Sequence, residues 1–216
     1  QSEWYSNNNP EFTWLLPEGT TGVNILANQN AGADPGTQSE GVFRVHRYQD
    51  VEDGQWYFHV RLQNTKGWGG VAHFSFKIDT VLPDSLTVEE IARADLKNPR
   101  IQLVFKATDA LSGINHYEVQ IDQGISFVWK DEGSPYESPP LDPGFHAFHV
   151  KAIDGAGNFI ERSIDAKVEG LEPPLLNKYP EQPLQENEPF VLKGKTDPNV
   201  KVIVFLQLGD NPPKEL

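Results

Sequence analysis

Along much of the chain apolar and polar residues alternate with a period of two, the pattern of strands that bury one face and wet the other. Ile101, Leu103, Phe105 and Ala107 share one face, and Tyr117, Val119 and Ile121 alternate with His116, Glu118, Gln120 and Asp122. Earlier, Ala72, Phe74, Phe76 and Ile78 alternate with His73, Ser75, Lys77 and Asp79. Later, Ile164, Ala166 and Val168 alternate with Ser163, Asp165 and Lys167. The turn signals "TKGWGG", "ALSG" and "DGAGN" separate these runs at short intervals. Short antiparallel strands joined by regular turns predict an all-β chain of β-sandwiches. "SLTVEEIARADL" offers a helical alternative, with Thr87 and Glu90 at capping-box spacing. An edge strand is preferred there, because the matching place earlier in the chain shows no helical pattern.

The pattern occurs twice. "DGQWYFHVRLQNTKGWG" from Asp53 aligns with "PGFHAFHVKAIDGAGNF" from Pro143, setting Gly54 on Gly144, Phe58 on Phe148, His59 on His149, Val60 on Val150 and Gly67 on Gly157, each 90 positions apart. "NPEFTWLL" at Asn9 resembles "NPRIQLVF" at Asn98, 89 apart, and "TGVN" at Thr21 resembles "SGIN" at Ser112, 91 apart. Three blocks in one order predict two related sandwiches, residues 1–80 and 81–169, with a short seam between Asp79 and Pro83. Phe58, Val60, Phe148 and Val150 are expected in the two cores. His59, Arg61, His149 and Lys151 are expected to face water or the edge of the opposite sheet. Residues 170–216 begin with a connector carrying Pro173, Pro174, Pro180 and Pro183, expected to run extended. "PFVLKGKTDPNVKVIVFLQLG" should then form two strands around its "TDPN" turn, within a partial third domain.

Composition narrows the partners. The 216 residues carry a formal charge of −13, with a pI near 4.8, so nucleic acid and anionic membrane surfaces are disfavoured. The chain has no cysteine, which excludes disulfides, thiolate metal sites and cysteine nucleophiles. It has no methionine either, so a processed protein or a piece of a longer one is expected. No apolar run is long enough to span a bilayer, and no membrane insertion is expected within this segment.

Several residues invite a chemical reading. His146 and His149 in "FHAFHVKAIDGAGNF" suggest a metal pair, but residues three apart on a strand point to opposite faces. Their repeat places Trp56 where His146 stands, so a core strand and its turn is the better reading. Asp109, Asp154 and Asn158 are oxygen donors that suit calcium, if one end of the second domain brings them together. The competing reading is that they cap their own turns. Trp14 and Trp56 belong to alternating patterns and are expected in the core. Trp4, Trp68 and Trp129 lie in less regular contexts and are candidates for stacking on sugars, or for covering a domain seam. Catalysis has no comparable support. The chain lacks a nucleophile elbow, a zinc-protease helix, a P-loop and a dinucleotide fingerprint. The acid pairs Glu89–Glu90 and Asp131–Glu132 are adjacent and would diverge on a strand.

"TDALSGINHYEVQID … PGFHAFHVKAIDGAGN", from Thr108 to Asn158, resembles the Ig-like or fibronectin-III-like repeats of exported bacterial surface proteins. The match runs through Asp109, Ser112, Gly113, Ile114, Gly144, His146, Asp154, Ala156, Gly157 and Asn158. The first copy departs from it at Asn64 and Trp68, and "LKGKTDPNVKVIVF" is similar to another bacterial Ig-like repeat. The resemblance implies tandem antiparallel sandwiches in an extracellular or cell-surface protein, and no specific ligand. The function expected is a non-catalytic spacer, display or adhesion segment of a larger bacterial protein. Its expected partners are neighbouring domains of that protein and, beyond them, surface proteins or glycans. A carbohydrate-binding module of an exported enzyme and a calcium-dependent adhesin are the alternatives; no other cofactor is expected.

Overall fold

The computed structural model describes residues 3–130, 135–178, 191–198, 200–206 and 212–215, and every regular element among them is a strand. The first group comprises β1 (Trp4–Tyr5), β2 (Glu11–Thr13), β3 (Thr20–Asn28), β4 (Val45–Arg47), β5 (Gly54–Asn64) and β6 (Gly67–Ile78). A sheet in the order β1-β6-β5-β3 faces the pair β2-β4. Between them lie Val23, Ile25, Phe58, Phe76 and Ile78, with Phe12, Trp14, Trp56 and Val60 packed against this cluster but only partly buried. Phe12 stacks on Phe58 with ring centroids 4.2 Å apart, joining the two layers.

The second group comprises β7 (Asp84–Glu90), β8 (Gln102–Thr108), β9 (Ile114–Ile121), β10 (Phe127–Trp129), β11 (Tyr136–Glu137), β12 (Gly144–Asp154) and β13 (Phe159–Val168). The sheet β11-β8-β7 packs on the sheet β10-β9-β12-β13, the three-on-four arrangement of a fibronectin-III-like sandwich. Its core includes Ile101, Leu103, Tyr117, Val119, Phe148, Val150 and Ala152, the residues that the alternating pattern puts on inner faces. β7 is a strand, and its Leu86 and Val88 close one side of that core.

Strand register shows how far the repeat holds. Phe58 stands opposite Phe74 and Ala27, as Phe148 stands opposite Ile164 and Ile121. Trp56 stands opposite Phe76, as His146 stands opposite Ala166. The third sequence block is corrected. Val23 faces Leu62, whose counterpart is Ala152, and Ala152 faces Tyr117; Val23 therefore answers to Tyr117, 94 positions on, and not to Ile114. The likeness of "TGVN" to "SGIN" is one of turn composition.

Three burial expectations are also corrected. Val60 is only partly buried, whereas Val150 is sealed. His59, expected outward, is completely buried. The loop from β3 to β4 folds back over that face, with Asn24 Nδ2 donating to the Pro35 carbonyl at 2.7 Å and Arg61 pairing with Asp34 at 3.1 Å. Ala72 and Phe74, on the inward side of β6, are exposed.

After the second sandwich come β14 (Leu175–Lys178), β15 (Lys193–Lys195), β16 (Phe205–Leu206) and β17 (Lys214–Glu215). Among the described residues no strand pairing spans "TDPN" as expected: β15 pairs with β14 and β16 with β17. Asp197 of that stretch instead accepts from Lys97 Nζ at 2.6 Å and from the Glu172 amide at 3.0 Å, which ties it to the second sandwich and to the connector. Pro180, Pro183 and Asn199, and the acid pair Asp131–Glu132, lie outside the described residues. Among the described residues no helix is long and apolar enough to cross a membrane.

Candidate functional site

The polar groups that converge most tightly do so where the two sandwiches meet. β6 ends at Ile78, and the next residue, Asp79, is 0% exposed. Its backbone is fixed by a hydrogen bond from its own amide to the Tyr5 carbonyl, at 3.0 Å. Its carboxylate accepts from the Val81 amide at 3.1 Å and, across the seam, from the Ser112 amide at 3.0 Å. Its carbonyl accepts from Asn158 Nδ2 at 2.9 Å.

The motif residues of the second sandwich build the other side. Asp154, 1% exposed, closes the β12–β13 turn by accepting from the amides of Ala156 and Asn158, both at 2.8 Å. Its second oxygen accepts from Asn158 Nδ2 at 2.8 Å. Gly157 takes φ +92°, a left-handed conformation that glycine adopts without a Cβ clash. Asp109 accepts from the amides of Leu111 and Gly113 at 3.1 and 2.7 Å, folding the "ALSG" turn. Ser112 Oγ then accepts from the Gly155 amide at 3.1 Å, which holds the two turns together. Each aspartate thus caps its own turn, and the capped turns together grip Asp79.

This arrangement sets carboxylate oxygens of Asp79, Asp109 and Asp154 within 4.8 Å of one another. No salt bridge among the described residues reaches any of the three. Carboxylate oxygens are the donor type that hard cations take, and three are fewer than the six to eight that calcium takes. Of the sequence candidates, Asp109 and Asp154 come together with Asn158 beside them. Asp79 was legible as the end of an alternating run and the start of the seam, not as a site residue; its repeat counterpart is Glu169.

The tryptophan candidates do not gather. Trp4 pairs with Lys77 near one end of β6, under the Lys77 ammonium, 5.2 Å from the ring centre. Trp68 stands near the other end, opposite Gln63, roughly 30 Å away along an extended strand. Trp129 belongs to the second sandwich, edge-on to Tyr136 at 5.6 Å. All three are partly buried.

His146 and His149 point to opposite faces of β12 and share no partner. His146 Nδ1 meets Asp122 at 2.8 Å and its Nε2 meets the Asp142 carbonyl at 2.8 Å. Both partners accept, so the setting favours the protonated ring, in which both nitrogens donate. The hydrogen bond with Asp122 accordingly holds the His146 pKa above its ordinary value and that of Asp122 below. His149 bonds to Ser163. A different histidine pair escaped sequence reading: Nδ1 of His59 lies 2.6 Å from Nδ1 of His73, directly across β5 and β6. Burial, then the neighbouring His73, pushes the His59 pKa down. The short turn at Thr65–Lys66, which sets the hairpin register, was the available signal.

No protein-family model and no curated protein matches the chain. Among solved structures it is similar to the fibronectin(III)-like modules of Clostridium thermocellum CbhA, with 12% identity over 77% of this chain and 89% of that one, and a TM-score of 0.48. It is also similar to the FN1–FN3 domains of chicken CNTN1, with 16% identity, 78% and 65% coverage and a TM-score of 0.42. A tetra-tandem repeat in the extending region of a large adhesion protein gives 16% identity, 69% and 42% coverage and a TM-score of 0.33. These are likenesses of fold. The reading of the chain as tandem fibronectin-III-like sandwiches stands on its own strand order.

Proposed function

We propose that this chain is a non-catalytic, extracellular stretch of tandem modules that spaces, displays or supports the adhesion of other parts of a longer bacterial protein. The observation that carries this reading is the junction: Asp79 of the first sandwich is held by Ser112 and Asn158 of the second. A spacer needs successive modules to resist swinging, and a seam of buried, charge-assisted hydrogen bonds supplies that resistance. Small-angle scattering on the full chain tests it. A spacer gives a radius of gyration well above the roughly 17 Å of a compact globule of equal length. A value near 17 Å refutes the reading.

The calcium-dependent form of the same role is favoured by one observation, the convergence of the Asp79, Asp109 and Asp154 carboxylates. A divalent ion there would offset two of the three negative charges and bind only the folded junction. Saturating calcium at about a hundred times its dissociation constant would then stabilise the chain by about 2.7 kcal/mol. Equal melting in calcium and in chelator removes this second reading and leaves the first intact.

A further inference from the structure

The two sandwiches fill one cross-strand position differently. In the second, His149 stands opposite Ser163 and bonds to its hydroxyl at 2.7 Å. In the first, His59 stands opposite His73, so a second imidazole replaces the hydroxyl, and the two Nδ1 atoms lie 2.6 Å apart. The rings meet at 79° rather than stacking, which sets nitrogen against nitrogen. His59 is completely buried, while His73 is exposed.

Asn28 decides which nitrogen of His59 is free to bind. Its Oδ1 accepts from the Asn30 amide at 2.9 Å, which identifies that atom as the oxygen of the side-chain amide. The same oxygen lies 3.2 Å from His59 Nε2, so Nε2 carries the ring proton. Nδ1 keeps its lone pair, and in the neutral pair the His73 Nδ1–H donates into it. A histidine that donates from one nitrogen to an oxygen and presents the other as a lone pair is held as metal-binding histidines are held. Burial and the neighbouring His73 favour the neutral His59 ring, the form that a metal requires. The nearest cation on this face of β5, Arg61, is paired with Asp34 at 3.1 Å and donates to the Gly69 carbonyl at 2.7 Å, so its charge is already offset.

We propose that His59 and His73 chelate a divalent transition-metal ion of the zinc class through their Nδ1 atoms, with water in the remaining positions. Two imidazoles without a carboxylate select such ions over calcium and magnesium. Zinc–nitrogen bonds of about 2.0–2.1 Å at tetrahedral angles hold two nitrogens about 3.3 Å apart. The pair must therefore open by about 0.7 Å, and the exposed His73 ring supplies this by turning while Asn28 keeps His59 in place. The His73 proton passes from Nδ1 to Nε2, a change of tautomer with no net loss of a proton. The bound ion ties β5 to β6 beneath the loop that covers His59. The second sandwich, with Ser163 at the matching place, has no such pair.

The test titrates zinc chloride into the full chain at neutral pH, with calcium in constant excess to hold the Asp79, Asp109 and Asp154 cluster in one state. Imidazole ¹⁵N shifts provide the readout. Both Nδ1 resonances, of His59 and of His73, should move together and saturate at one equivalent, and calcium alone should move neither. His73→Ser gives the first sandwich the pair found in the second; it keeps a hydrogen bond to His59 and should weaken zinc binding by about tenfold or more. His149→Ala should leave the affinity unchanged. The amide spectrum of each variant verifies that it is folded. A zinc shift confined to His73, or one that persists undiminished in His73→Ser, overturns the proposal, as does the absence of a saturable shift.

Discussion

Replacing Val150 and Val60 by alanine, one at a time, separates a closed core from an open one. The two residues hold equivalent places: Val150 lies opposite Val119 and Arg162, and Val60 opposite Ile25 and Ala72. Val150 is 0% exposed, whereas Val60 is partly buried and lines an open apolar groove of about 670 Å³ between β2 and β6. Each substitution removes two methyl groups, at about 0.8 kcal/mol for each buried carbon. At Val150 the surrounding Tyr117, Val119 and Phe148 cannot collapse fully into the space, so a cavity term raises the loss to about 2–3 kcal/mol. At Val60 the new space opens on the groove and takes up solvent, which leaves a loss of about 1 kcal/mol or less. One kcal/mol moves the melting point of a domain this size by about 4–8 °C. Val150→Ala should therefore lower melting of the second sandwich by at least about 8 °C, and Val60→Ala that of the first by less. Thermal unfolding followed by NMR signals assigned to each sandwich reads the two separately. Equal losses, or a larger loss at Val60, would refute the contrast between closed and open cores.

Acidity should act on the sandwiches in opposite directions. Because burial lowers the His59 pKa below 6.5, the first sandwich keeps its full stability above pH 6.5 and loses it as the pH falls through 6.5 toward the folded value. Because Asp122 raises that of His146, the second gains fully below pH 6.5 and loses the gain as the pH rises through the folded value. Melting curves between pH 5.5 and 8.5 should diverge accordingly in the wild type, and parallel shifts would contradict the assignment. Gly155→Ala should cost on the order of 1–3 kcal/mol, since its Cβ would stand 2.8 Å from the Ser112 carbonyl oxygen in the turn that donates to Asp79. A neutral effect in urea titration would mean that the two turns are not held as tightly as described.

The alternating pattern determined the all-β class and the inner faces, because a period of two follows from backbone geometry and needs no partner to be read; at β7 it left a helix open, and the structure decided for the strand. The repeat determined that Phe58 and Phe148 hold the same place, since equal hairpins align equal sequences. It went wrong at "TGVN", where short turn-rich blocks resemble one another whatever strands they join. Pattern also put Ala72 and Phe74 on an inner face without revealing that the face is uncovered there. Coverage depends on what packs across the sheet from other parts of the fold, and alternation along β6 carries no information about it. His59 shows the reverse case, a polar position buried by a loop that closes over it from elsewhere. The aspartate site divides the same way. Asp109, Asp154 and Asn158 were visible as turn residues because capping is local. Asp79 joined them only in three dimensions, since a contact across a seam depends on how two folded modules meet.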